Sequence, residues 1–273
     1  MPSRVESPYS RLNYRRLIAW PERIEREWPF LREQIERAPD PSVLDLGCGT
    51  GEHVRHFASR GYRAVGLDRS EEQIVKARDY EGEFGSHGPS FVLADMTEAS
   101  RWVSAGFGLA VCLGNVIPHL EDGPLREMLG ETTAVLAPHG RLVVQVLNYE
   151  RILGRGIRHL PLNFRDAPTQ DAEIVFLRLL RPDDDDDRHI WFYPATLELR
   201  PGAERMLELQ AAKEVRLRAW RRADLAAALE AAEFTVEATY GSIAGAPYDP
   251  DNSSDLVVVA IRGRSRSGRA EAS

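Results

Sequence analysis

Apolar positions along the chain fall into three successive rhythms. In residues 9–38, Leu12, Leu17, Ile18, Ile24, Phe30, Leu31 and Ile35 recur at an imperfect helical spacing. Breaks are expected at Pro21 and near Pro29, because proline gives no backbone N–H. From residue 43 short apolar runs alternate with longer helical stretches. The runs are 43–46, 63–67, 91–94, 109–113 and 141–147, and the helices are about 52–60, 70–80 and 122–136. Such alternation predicts a parallel sheet covered on both faces. Residues 171–220 then hold three β-like runs, 174–180, 189–199 and 206–218, joined by short turns. Consecutive strands of this kind predict an antiparallel meander. A helix over 222–232 and strands over 235–240 and 256–261 return to the first sheet.

The fold class is therefore α/β, with a mostly parallel sheet of seven strands and an antiparallel three-stranded β insert. The expected segments are a helical lid over 1–40, a core made of 41–148 and 221–262, an insert over 149–220 and a disordered tail over 263–273. The first segment reads equally well as a helix packed on the sheet.

Composition narrows the function classes. The 273 residues are 43% hydrophobic and 28% charged, which fits a soluble globular protein. A net charge of −7 disfavours non-specific contact with nucleic acid. Cys48 and Cys112 lie at apolar strand ends and read as buried thiols without zinc spacing. No apolar run approaches the ~18 residues of a membrane span, and residues 1–10 lack a signal-peptide core. A cytoplasmic location is the expectation. The five aspartates at 183–187 read as a solvated turn, and no metal is expected.

The chemistry gathers around Val43-Leu44-Asp45-Leu46-Gly47-Cys48-Gly49-Thr50-Gly51. A short buried strand runs there into three glycines at alternate positions. Glycine allows positive φ and lets a ligand approach the backbone closely. The spacing Gly-x-Gly-x-Gly differs from the Gly-x-Gly-x-x-Gly of dinucleotide sites and lacks a phosphate loop's Lys-Ser/Thr ending. Asp45 would repel a phosphate and attract an ammonium. S-adenosylmethionine, cationic and free of phosphate, is such a ligand.

At these residues the sequence resembles the class I S-adenosylmethionine-dependent methyltransferases, whose fold is Rossmann-like. Asp68 ends the second strand, 17 positions after Gly51 and near the ~20-residue offset of ribose-binding acids. It is placed to accept both ribose hydroxyls. Asp95 ends the third strand, where the resemblance implies a contact with the adenine amino group and the Met96 N–H facing the ring. Gly47, Cys48 and Gly49 are expected along the methionine portion, with Arg69 beside adenine or ribose and Tyr14 contributing from the N-terminal segment. A closer resemblance, spanning about 43–262, is to glycine and sarcosine N-methyltransferases. It rests on Cys112-Leu113-Gly114-Asn115 with Pro118-His119-Leu120, and on Asn148-Tyr149-Glu150-Arg151-Ile152-Leu153. It implies that Leu113 and His119 touch the cofactor and that Asn115 faces the substrate. That family reads Asp-His-Arg where this chain has Gln145-Val146-Leu147. A cation for a carboxylate substrate would then come from Arg155, Arg158, Arg165 or Arg178.

The implied reaction is methyl transfer to a small molecule, most simply an amine nitrogen. Asn115, His119 and Tyr193 are the candidate catalytic residues. No Lys, Asp or Glu lies in the turn 114–117, which favours an amine over a hydroxyl that needs a strong base. An O-methyltransferase and a non-catalytic cofactor-binding interaction protein remain as rivals. Strand four lacks the Pro-Pro-aromatic signature of nucleic-acid amino-methylases. The partners are then a small-molecule substrate, no nucleic acid and no membrane, with a homo-oligomer through the β insert as a further expectation.

Overall fold

A computed structural model describes residues 18–79, 88–167 and 171–263. Tyr14, the loop at 81–87 and the tail from 264 lie outside the described residues. Helix α1 (Trp20–Glu36) opens the described chain, with Pro21 in its first turn and Pro29 inside it. Neither proline breaks the helix, contrary to the sequence expectation. Pro21 sits where an N–H has no helical partner anyway. Pro29 and Glu25, whose carbonyl loses its bond, both face solvent. The other side of α1 buries Phe30, Leu31 and Ile35 against Val43, Leu109, Val143 and Val257 of the sheet.

The alternation then runs β1 (Ser42–Leu46), α2 (Glu52–Ser59), β2 (Arg63–Asp68), α3 (Glu71–Arg78), β3 (Ser90–Leu93) and β4 (Phe107–Cys112). Ser70 caps α3 by accepting from the Gln73 N–H, as its sequence position predicts. Helix α4 (Asp122–Val135) leads directly into β5 (Leu136–Leu147), and α5 (Tyr149–Gly154) follows. Helix α6 (Arg222–Ala231) and strands β11 (Phe234–Tyr240) and β12 (Asp255–Arg262) end the described chain. The sheet order is β11-β12-β5-β4-β1-β2-β3. Strands β5, β4, β1, β2 and β3 are parallel, while β12 runs antiparallel to both its neighbours. Strand β1 is completely buried, which suits a central strand with apolar residues on both faces. Strand order reverses between β1 and β4, the point where open sheets bind ligands.

The insert holds five strands rather than three. They are β6 (Asn163–Asp166), β7 (Glu173–Pro182), β8 (His189–Leu199), β9 (Leu207–Ala212) and β10 (Val215–Arg218). The single run expected over 206–218 is split, because β9 and β10 pair with different halves of β8. Strand β6 was not foreseen. Its four residues, Asn-Phe-Arg-Asp, carry little strand signal and are held by register with β7. In the acidic turn Asp184, Asp185 and Asp187 are exposed, while Asp183 and Asp186 are engaged. Asp183 accepts from Arg216 at 2.7 Å, and Asp186 bonds His189 at 2.9 Å. The other ring nitrogen of His189 lies 3.0 Å from Glu121 of the core. The first two pairs brace the insert, and the His189–Glu121 pair ties it to the core. Among the described residues no group of three metal ligands forms. Nor is any described helix long and apolar enough to cross a membrane.

Candidate active site

The glycine turn between β1 and α2 is held against β2. Gly47 and Cys48 both donate their N–H to the Leu67 carbonyl, at 2.8 and 2.9 Å. Gly49 donates to Asp68 Oδ2 at 2.8 Å. A phosphate cradle presents free N–H groups; here these three are spent on Leu67 and Asp68 of β2. Gly47, Gly49 and Gly51 have φ of 78°, 55° and 80°, so all three need the left-handed region. A Cβ on Gly51 would meet Phe91 at 2.4 Å, so Gly51 shapes the turn. It does not border the cavity beneath.

That cavity lies outside the carboxyl ends of β1, β2, β3 and β4. Its walls include Asp45, Gly47, Cys48, Gly49, Asp68, Arg69, Asp95, Met96, Leu113, Asn115 and His119. The sequence motifs therefore converge on one site, apart from Gly51 and Tyr193. Asp45 is 3% exposed, and burial pushes its carboxyl up to about 6. Asp68 accepts at both oxygens, from Gly49 and from the Ser70 N–H at 2.8 Å. It thus braces the glycine turn and keeps further lone pairs for a ligand. Burial raises its carboxyl as well. Asp95 Oδ1 accepts from the Thr97 N–H and hydroxyl at 3.0 and 2.9 Å, fixing the turn after β3. Burial lowers His119 to about 4, so the imidazole is neutral at pH 7. Burial also holds the Cys48 thiol protonated, far from a reactive thiolate.

The sequence expectation of a helical lid covers the α1 wall but does not single out Arg23 or, on α2, His53. Trp20, Arg23 and His53 line the same cavity. Glu27, 1% exposed, accepts from Arg23 at 2.8 Å and bonds His53 Nε2 at 2.7 Å. Trp20 meets the His53 ring edge-on at 5.6 Å. The spacing Trp20-x-x-Arg23-x-x-x-Glu27 is the one sequence signal for this wall, since such positions share a helix face.

Two candidate roles change. Asn115 adopts φ 67° at the tip of β4, and its side chain is committed. Its Oδ1 accepts from the Leu147 N–H at 2.9 Å, and its Nδ2 donates to Tyr149 Oη at 3.1 Å. Asn115 locks the ends of β4 and β5 together rather than pointing freely at a substrate. Tyr193 pairs with Leu179, whereas its neighbours Phe192 and Pro194 pair with Leu180 and Arg178. Phe192 and Arg178 face inward, so alternation sends Tyr193 to the outer face of the insert.

A second cavity of about 590 Å³ lies between α1, the tips of β4, β5 and β12, and the insert. That volume falls within the ~300–1,000 Å³ of small-molecule sites. Arg23, Gly114 and Asn115 border both cavities. Of the four candidate cations, Arg165 and Arg178 line it, beside Phe176 and Phe192. Arg155 instead bonds Asn252, and Arg158 bonds the Leu180 carbonyl.

Residues 43–140 match a family model described as a methyltransferase domain. Residues 43–140 form a class I S-adenosylmethionine-dependent methyltransferase domain. A glycine/sarcosine/dimethylglycine N-methyltransferase of Actinopolyspora halophila is 32% identical over 141 residues, 51% of this chain and 25% of that protein. A glycine/sarcosine N-methyltransferase of Parasynechococcus marenigrum is 32% identical over 143 residues, 52% of this chain and 50% of its own. The chain spans about half the length, or less, of the curated relatives it matches. The sequence match covers about half of this chain, less than the expected 43–262. A sugar N-methyltransferase from Streptoalloteichus superposes with a TM-score of 0.66 at 19% identity, covering 97% of this chain and 96% of that one. An amino pentose methyltransferase from Micromonospora echinaspora, solved with S-adenosylmethionine, gives 0.65 at 19%, covering 94% and 98%. The methyltransferase domain thus carries the same general architecture as these proteins.

Proposed function

We propose that this protein transfers the methyl group of S-adenosylmethionine to an amine nitrogen of a small molecule. The first cavity would hold the nucleoside between Asp68 and Asp95 and the ammonium near Asp45. The bound cofactor supplies a methyl group on a positively charged sulfur. The observation that carries the reading is the shared wall: Arg23, Gly114 and Asn115 border both a carboxylate-lined cavity and a second one roofed by the insert. Two reactants held on either side of such a wall meet as a near-attack pair, which can supply several kcal/mol of the barrier. The helix α1 acts as the lid, since Trp20 and Arg23 close one side of the first cavity.

An amine needs no strong base once it has lost its extra proton, and among the described residues His53 and neutral His119 are the histidines of the first cavity. Relatives named for glycine and sarcosine, and neighbours named for amino sugars, point the same way. Leu147 stands where the first group has arginine, so Arg165 and Arg178 would receive any anionic part of the acceptor. The outer face of the insert exposes Met206, Leu207 and Leu209, and a second copy of the chain would cover them. The test is a turnover screen with methyl-labelled S-adenosylmethionine against matched amine and hydroxyl acceptors. Label on amines supports the proposal. Label on hydroxyls alone replaces it with O-methylation, and tight cofactor binding without turnover replaces it with a non-catalytic role.

A further inference from the structure

We propose that Asp255 is the residue that receives the acceptor amine, binding its ammonium form and taking the proton that must leave before methylation. This rests on the amine reading above and adds the group that makes it work at neutral pH. A simple alkyl ammonium titrates near ~10, so only about one molecule in a thousand is neutral at pH 7. A nitrogen lone pair is needed to attack carbon. Something in the second cavity has to hold the surplus proton.

Asp255 begins β12, opposite Leu147 of β5, and its side chain lines the second cavity. Gln145 ties it to the wall shared by the two cavities. Gln145 Oε1 accepts the Gly114 N–H at 3.1 Å, and Gln145 Nε2 donates to Asp255 Oδ2 at 3.3 Å. The Gly114 donor fixes which end of the amide is oxygen, so the amide N–H must face Asp255. The Ser254 hydroxyl adds a long donor to the same oxygen at 3.4 Å. Among the described residues no hydrogen-bond donor meets Oδ1, which leaves it for a ligand. The charged groups acting most strongly on Asp255 are Arg23 and Glu27 of α1, and Glu22, Arg26, Arg165 and Arg178 line the same cavity. Burial and Glu27 raise its carboxyl while Gln145 and Arg23 lower it, and the net direction is upward. A carboxylate above its usual range is a better proton acceptor than an exposed one.

The step balances. The ammonium gives one proton to the Asp255 carboxylate and becomes a neutral amine. Its lone pair forms the N–C bond as the sulfonium C–S bond breaks and the electron pair returns to sulfur. The products are a methylated ammonium, a neutral thioether and a protonated Asp255, which loses its proton to water on release. Arg165 and Arg178 line the cavity from strands β6 and β7 of the insert, and Asp255 lines it from β12 of the core. The acceptor class is therefore an amine with an anionic group held at a distance by a spacer.

The test uses the full chain saturated with S-adenosylhomocysteine, so that no methyl can transfer. Glycine, γ-aminobutyrate, ε-aminocaproate and hexylamine are titrated calorimetrically at pH 7 in two buffers of different ionisation enthalpy. For the wild type we expect binding of a spaced amino carboxylate with no net proton release. Asp255→Asn should bind it at least tenfold more weakly, or release about one proton per molecule bound, while S-adenosylhomocysteine affinity stays within twofold. Asp255→Glu should recover part of the affinity. Equal affinity and proton count in wild type and Asp255→Asn overturn the proposal and leave the amine reading intact. Failure of the wild type to bind any probe overturns both. A matching loss of S-adenosylhomocysteine affinity also overturns it, because the residue would then be holding the wall rather than a ligand.

Discussion

The two cavities meet at Gly114 and Asn115 but are built from different material. The first is made at strand tips, from backbone turns and the carboxylates that end β1, β2 and β3. Its parts are close in sequence to the strands that carry them, and Asp68 both braces the glycine turn and faces the ligand. The second is made of side chains from α1, β5, β6, β7, β8 and β12, brought together only by sheet register and insert docking. A ligand common to a whole fold class can be held by the turn geometry that defines the class. A ligand peculiar to one protein has to be recognised by side chains that the fold leaves free to vary.

The largest way to test that division is Asp68→Ala. It removes one backbone bond from the glycine turn, one from the Ser70 N–H before α3, and the proposed ribose acceptor. Charge-assisted hydrogen bonds contribute ~1.5–3 kcal/mol each, so losing two should weaken S-adenosylmethionine binding by about a hundredfold or more. Calorimetry reads the change directly, and unchanged affinity would remove the ribose assignment. The mirror experiment is the double change Arg165→Ala with Arg178→Ala. It should leave cofactor affinity within about twofold and raise the KM of an anionic amine by about ten- to a hundredfold. A cofactor defect of similar size would show that the two cavities are one energetic unit.

A third experiment separates the cavities by pH. Burial holds Asp45 at about 6 in the free protein. A bound cation favours its ionised form and so lowers that value. The free site then binds a proton that the complex does not, at pH near and below 6. Affinity for S-adenosylmethionine should therefore fall as pH drops through about 6, by up to tenfold per unit for one coupled proton. Asp45→Asn should flatten this limb. A slope that persists in the variant assigns the proton elsewhere.

What was legible in the sequence follows the same division. Asp68 and Asp95 could be placed because each ends an apolar run, and Asp45 because it precedes the glycine turn; strand ends are where open sheets bind ligands. Pro21 and Pro29 misled, because a proline's cost depends on whether the orphaned carbonyl sees water, which spacing alone does not reveal. Arg165 could only be kept among four arginines, because its strand β6 exists through pairing with β7. Gln145 looked like the loss of a family charge. Its role as the link between Gly114 and Asp255 needed the register that sets β12 beside β5.

The smallest effect expected is the most pointed about register. Tyr193 is attractive in a linear reading: a phenol in the insert, near the segment that roofs the acceptor. Along a strand, however, neighbours point to opposite faces, and a slip of one residue exchanges the faces. Phe192 packs inward against Val215 and Leu180, and Arg178, opposite Pro194, reaches the second cavity. Tyr193 must then share the outer face with Leu179, which is 42% exposed. Tyr193→Phe should change turnover and both ligand affinities by less than about twofold, since surface substitutions cost within ~0.5 kcal/mol. A tenfold loss of turnover with unchanged folding would mean that β8 presents its other face to the acceptor. Phe192 would then leave the cavity as Tyr193 entered, while Arg178 on β7 and Arg165 on β6 would stay, so the arginine double change would keep its effect. Tyr193→Phe thus reports on the register of β8 alone, and the arginine double change on the face presented by β6 and β7.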